Sequence, residues 1–158
     1  MKATSALALG SFLAALGLSG HGTAFALPTT ESASICMPWG EFSGPGLARS
    51  TTGLHNTRSA PLSVLCPLVR TGGPTSAGFV AHVNGRQPAG TTLSCRFVSL
   101  RRDSFALQSS AFVLEAPPTP GGIVRMRGTL TVVPPGSYQT VLCTIPPGGK
   151  LFSIESAQ

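Results

Sequence analysis

From Ile123 to Val133 the side chains alternate almost without a break. Val124, Met126, Leu130 and Val132 fall on one side, and Arg125, Arg127, Thr129 and Thr131 on the other. A period of two belongs to a strand with one face in a core and one in water. Gly128 interrupts the inner set and marks a candidate β-bulge. The same alternation runs through Thr91–Leu100, with Leu93, Cys95 and Phe97 inward and Thr92, Ser94 and Arg96 outward. Pro61–Val69 puts Leu62, Val64, Cys66 and Leu68 on one face, while Pro67 argues for an edge or a bulge near the strand's end. Shorter strands are expected over Ile35–Trp39, Gly53–Asn56, Gly78–Asn84, Gln108–Glu115, Tyr138–Ile145 and Leu151–Glu155.

Turn residues punctuate these segments. Asn84-Gly85 is a strong hairpin signal. Pro147-Gly148 suits the central positions of a type II turn, so the last two strands are expected to form a hairpin. Residues 27–34 read as a polar lead-in, and 40–53 as a loop with one weak edge strand. Arg101-Arg102-Asp103-Ser104 and Ala116–Gly122 read as connections. No segment after residue 26 has a helical period. The pattern predicts an all-β fold: a two-sheet antiparallel β-sandwich, Ig-like or jelly-roll-like.

The N-terminus breaks this pattern. Met1-Lys2 carries a positive charge, Ala6–Leu18 is a mostly apolar run, and Ala24-Phe25-Ala26 is a small-x-small box before Leu27-Pro28. That is the layout of a secretory signal peptide over 1–26. The run is too short to cross a ~30 Å hydrocarbon core as a helix. The expectation is one β-sandwich domain over 27–158, secreted or periplasmic after cleavage near Ala26, with no transmembrane segment.

In such a compartment the four cysteines, Cys36, Cys66, Cys95 and Cys143, can pair. None forms a C-x-x-C, which disfavours zinc or redox chemistry. Three pairings are possible. Cys36–Cys66 and Cys95–Cys143 are favoured, because Cys95 and Cys143 both sit mid-way along strand-like segments.

The chain's net charge is +6, and loss of Lys2 with the leader leaves +5. Arginine supplies almost all of it. Arg96, Arg125 and Arg127 project outward from strands, and Arg101-Arg102 adds a cluster at a turn. If those strands share a sheet, the guanidiniums line one surface able to grip phosphate or carboxylate. Such a face suits acidic glycans or an envelope surface. Without interleaved aromatics, specific nucleic-acid binding is not expected.

Two segments are familiar beyond their pattern. Asn56-Thr57 with Val64-Leu65-Cys66-Pro67-Leu68-Val69-Arg70, and Tyr138 through Cys143-Thr144-Ile145-Pro146-Pro147-Gly148 to Ile154-Glu155, resemble segments of small exported bacterial proteins. The resemblance implies an exported, disulfide-stapled, mostly β protein and brings no activity. Where that group often has an aspartate after the arginine corresponding to Arg70, this chain has Thr71.

Catalytic machinery is sparse. The carboxylates are Glu31, Glu41, Asp103, Glu115 and Glu155. A glycosidase needs two of them about 5–10 Å apart across a cleft. Glu31 and Glu155 lie near the termini and Asp103 beside two arginines, which leaves Glu41 and Glu115 with nothing placing them together. His55 and His82 stand in separate segments, and no G-x-S-x-G, H-E-x-x-H or phosphate-binding glycine loop occurs. No enzyme activity, metal or cofactor is expected. The sole tryptophan, Trp39, lies three residues from Cys36. A ring so placed is more often packed on a disulfide than offered to a sugar.

The functional expectation is therefore a non-catalytic interaction or structural protein acting through Arg96, Arg101, Arg102, Arg125 and Arg127. The first alternative is a carbohydrate-binding module using Trp39 and nearby loops. The second is a secreted inhibitor or effector inserting the 40–53 or 116–122 loop into a partner.

Overall fold

A computed structural model of the chain describes residues 29–40, 46–68, 78–100, 106–131, 133 and 136–157. The signal peptide expected over 1–26 and the turn expected at Arg101–Ser104 lie outside the described residues. Twelve strands form among the described residues. They are β1 (Thr29–Ser32), β2 (Met37–Pro38), β3 (Leu47–Ser50), β4 (Gly53–Asn56), β5 (Leu62–Pro67), β6 (Phe79–Arg86), β7 (Ser94–Leu100), β8 (Ala106–Ala111), β9 (Val113–Leu114), β10 (Ile123–Leu130), β11 (Tyr138–Ile145) and β12 (Lys150–Ala157). The one helical element among the described residues is a single 3-10 turn, Ala33–Ile35.

The strands make two antiparallel sheets. One is seven-stranded, in the order β3-β4-β12-β6-β10-β9 with β1 also paired to β12; the other is five-stranded, in the order β2-β5-β11-β7-β8. From β4 to β12 the chain crosses between sheets at nearly every connection, leaving only β7–β8 and β9–β10 as sequential neighbours within a sheet. Four strands in the order β4-β12-β6-β10 thus oppose four in the order β5-β11-β7-β8. That wrapping is the double Greek key of a jelly roll, and it decides between the two sandwiches the pattern allowed.

Inward residues of both sheets fill the space between them. Phe79 from β6, Phe97 from β7 and Phe112 at the β8–β9 junction pack in series, edge-to-face and then tilted, with centroid separations of 5.3 and 6.0 Å. The disulfides Cys36–Cys66 and Cys95–Cys143 lie in this core. Cys95 and Cys143 face one another directly across β7 and β11, with Cα atoms 4.1 Å apart, close to the spacing of a non-hydrogen-bonded antiparallel pair.

Several local expectations change. Asn84-Gly85 is not a turn but continues β6, the central strand between β12 and β10. The residue pair sits there because β12 bulges at Phe152 opposite it, and a Cβ on Gly85 would collide with Leu93 Cδ2 and Lys150 O. The turn comes instead at Pro88–Thr91, where Thr91 N–H donates to Pro88 O. Gly128 is no bulge either, since β10 pairs with β6 without a register shift. It lies under the Phe112 ring, which leaves no room for a Cβ. Val132 lies outside the described residues, and Val133 is buried.

The expected terminal hairpin is also absent. Pro146-Pro147-Gly148-Gly149 does turn, with Gly149 N–H donating to Pro146 O and Gly148 at φ +70°. The turn nevertheless carries the chain from β11 in one sheet to β12 in the other. Asn56 holds that crossing. Its backbone pairs with Gly148 and Gly149, and its buried amide donates to Ala60 O and Ile145 O while accepting from Arg58 N–H. Likewise the expected Gln108–Glu115 strand is two strands, β8 and β9, that change sheets at Phe112. The polar lead-in holds a strand, β1, paired with Ser153–Ser156. Pro67 ends β5: Leu68 N–H donates to Gln139 O on β11, so the nitrogen of Pro67 turns the other way, past the end of the short β2.

Candidate functional site

The arginines do not share a surface. Arg96 projects from β7 in the five-stranded sheet, whereas Arg125 and Arg127 project from β10 in the seven-stranded one. Their strands alternate buried and exposed residues, so the two groups leave opposite outer faces of the sandwich. Arg101 and Arg102 lie outside the described residues. The single basic face expected from the sequence is therefore not formed by Arg96, Arg125 and Arg127.

Arg125 is also paired with two carboxylates. Its Nε lies 2.8 Å from Glu115 Oε2 and its Nη2 lies 2.9 Å from Glu155 Oε2. Asn84 Nδ2 donates to Glu155 Oε1 at 2.7 Å and to Ser153 Oγ at 3.0 Å. His82 Nδ1 is 3.2 Å from Glu115 Oε1 but makes no hydrogen bond, so the contact is an ion pair only when the ring is protonated. Sequence reasoning missed this cluster. It discounted Glu155 for its nearness to the terminus, yet register places Glu155 opposite His82 on β6, one strand away from Arg125 on β10. No local signal announces that meeting. The two carboxylates grip one guanidinium between them. Glu41 and Asp103 lie outside the described residues, Glu31 sits on β1 opposite Ile154, and His55 on β4 faces Lys150 on β12, away from His82.

The outer face of the five-stranded sheet is different in kind. Met37, Leu65, Leu142, Arg96 and Ala111 lie abreast on β2, β5, β11, β7 and β8. Two residues along, Trp39 N–H donates to Ser63 O, and Ser63, Thr144 and Ser94 form the next row. Ser63 Oγ and Thr144 Oγ1 are 3.3 Å apart. Trp39 is 47% exposed and Met37 55%. The ring is therefore offered to solvent and not packed away on the Cys36–Cys66 disulfide, as a lone tryptophan beside a cystine was expected to be. A hollow of about 390 Å³ lined by Ser94, Arg96, Ala111, Leu142 and Thr144 continues this face.

The strands explain the arrangement. Val64, Cys66, Val141, Cys143, Cys95 and Phe97 take the inward positions, so their neighbours must face out. β2 is held to β5 by pairing and by the disulfide just before it, which fixes the edge carrying Trp39. Of the sequence-predicted contacts, Trp39 and Arg96 come together on this one face. Three strand spacings separate them, about 15 Å. No group of metal-ligating side chains occurs among the described residues.

No protein-family model and no curated protein matches the sequence. Among solved structures, the enzymatically active domain of bacteriophage CBA120 tailspike protein 4 is similar over 83% of this chain and 18% of its own, at 10% identity and a TM-score of 0.38. The catalytic domain of a GH87 alpha-1,3-glucanase in complex with nigerose is similar over 83% of this chain and 28% of its own, at 9% identity and a TM-score of 0.35. The chain spans less than a third of either. Likeness this distant leaves function to be argued from the chain's own residues.

Proposed function

We propose that this is an exported, non-catalytic module that binds glycan across the outer face of its five-stranded sheet, with Trp39 as the stacking residue. The observation that carries the proposal is the exposed indole at the end of the Ser63–Thr144–Ser94 row. An aromatic face complements the C–H face of a pyranose, and adjacent hydroxyls and a guanidinium supply donors and acceptors for the ring's substituents. Arg96 adds a site for acidic substituents. Two core disulfides, and among the described residues no helix long and apolar enough to cross a membrane, accord with export. The jelly-roll fold itself hosts many functions and supports none of them in particular.

The test is a glycan array probed with the mature protein at low and high salt, beside Trp39→Ala, Arg96→Ala and the Arg125→Ala/Arg127→Ala pair. Binding lost in Trp39→Ala and kept in the Arg125/Arg127 pair is the expected result. Absence of binding to every glycan, or binding indifferent to Trp39, would overturn the proposal. Release of shortened products from a bound glycan would refute its non-catalytic part.

A further inference from the structure

Seven large hydrophobic side chains are exposed among the described residues, and most carry no further feature. Isolated exposed apolar residues are ordinary. Tyr138 stands apart from Val113, Leu114 and Ile123 because it borders a cavity. The ring is 53% exposed, and the hollow of about 470 Å³ beside it is lined by Pro67, Leu68, Leu100, Tyr138 and Thr140, among others. That volume is within the range of small-ligand sites. The hydroxyl of Thr140 is already spent on Val98 O at 3.1 Å. The hollow thus offers a ring beside Pro67, Leu68 and Leu100, with Ser137 and Gln139 completing its lining, and Thr140 brings no free donor to it.

Tyr138 and Trp39 belong to the same face. Tyr138, Thr140, Leu142 and Thr144 take alternate positions along β11 on the outer side of the sheet, with Thr140 itself buried, and Thr144 is in the row that ends at Trp39. Six residues of strand and two strand spacings separate the two rings, a diagonal of about 22 Å. Between them lie Leu65 and Leu142, half-buried, with Arg96 alongside.

Resting on the glycan-binding reading above, we infer that this face is a two-ended site for a polysaccharide chain: Trp39 stacks one sugar ring and Tyr138 receives another in its hollow. The span of about 22 Å takes four or five pyranose repeats, so a ligand that touches both rings has five or six sugar residues. A mono- or disaccharide reaches one end only. An extended oligosaccharide engages both, and its second contact is made at the high effective concentration set by the first.

The experiment uses printed glycans of two to eight sugar residues, followed by titration of the length ladder of whichever polymer binds best. Affinity is expected to rise at least tenfold between two and six residues and then level off. Tyr138→Ala should weaken the six-residue ligand at least fivefold and leave the disaccharide unchanged, while Tyr138→Phe, which keeps the ring, should restore binding. Backbone amide shifts at Leu68 and Tyr138 should appear only with the longer ligand. A disaccharide that binds as tightly as an octasaccharide, or a six-residue ligand indifferent to Tyr138→Ala, would overturn the two-ended site and leave the Trp39 proposal standing. If no glycan of any length binds, both fall.

Discussion

Arg125 Nη2 lies 2.9 Å from Glu155 Oε2, joining the tenth strand to the last across the outer face of the seven-stranded sheet. With Glu115 on its other side, this guanidinium is neutralised twice over and is poorly placed to bind an external anion. Replacing Arg125 and Arg127 together by alanine should leave glycan binding unchanged. Arg125 is half exposed, so the ion pairs are solvent-screened and the loss of stability should stay below about 1 kcal/mol. Array binding and a urea midpoint measure both. A large loss of binding would return function to this face.

Trp39 is the chain's only tryptophan, which makes its environment directly visible. Its emission should be that of a solvent-exposed indole and readily quenched by iodide. Ligand should shift it to shorter wavelength and protect it from the quencher. Trp39→Ala should weaken binding at least tenfold, equivalent to about 1.4 kcal/mol, with little change in the unfolding midpoint. An indole already shielded in the free protein would contradict the exposed ring.

The disulfides close loops with sequence separations of 30 and 48 residues within a core of modest size. Removing either, as Cys36→Ser/Cys66→Ser or Cys95→Ser/Cys143→Ser, should destabilise the fold by roughly 2–4 kcal/mol. Reductant should lower the melting temperature of the native protein accordingly. An unchanged midpoint after complete reduction would show that the bonds add little to the core around them.

The strands were legible because burial on one face imposes a period of two, and Leu93-Cys95-Phe97 or Val124-Met126-Leu130 shows it directly. Sheet membership was not. Alternation reads the same in either sheet, so nothing in Arg96 or Arg125 reveals that their strands stand back to back. Turn residues share this ambiguity: Pro146–Gly149 bends the chain whether the next strand pairs with the last or crosses to the other sheet. Asn84-Gly85 misled because its glycine answers a bulge on a strand more than sixty residues away. Trp39 and Arg96 were the residues of this face whose chemistry was visible from sequence, although Trp39 was expected to pack on the disulfide. The exposure of Trp39 depended on β2 lying at an edge, which local pattern does not encode.

Asn56 should be among the least replaceable polar residues. It is fully buried, and each of its backbone and side-chain hydrogen-bonding groups has a partner. Asn56→Ala leaves Ala60 O, Ile145 O and Arg58 N–H without its side chain, at a cost of about 3 kcal/mol. Asn56→Asp should be comparably damaging, because a carboxylate cannot donate to the two carbonyls. Urea unfolding checks both, and a loss below about 1 kcal/mol would mean that water replaces the amide at the crossing.

Gly128 and Phe112 offer a test of the corner where the chain changes sheets. The backbone at Gly128 has no left-handed φ, so alanine is excluded there only by the ring packed above it. Gly128→Ala alone should overpack the core and cost roughly 1–3 kcal/mol. Shortening the ring should relieve that clash. Phe112→Leu removes packing of its own, yet in the Gly128→Ala/Phe112→Leu double variant the new methyl occupies space the ring has vacated. The double variant should therefore be more stable than the sum of the two single losses, by about 1 kcal/mol. Strict additivity would mean that the ring already moves aside in the single variant, and that Phe112 does not hold the crossing between the two sheets.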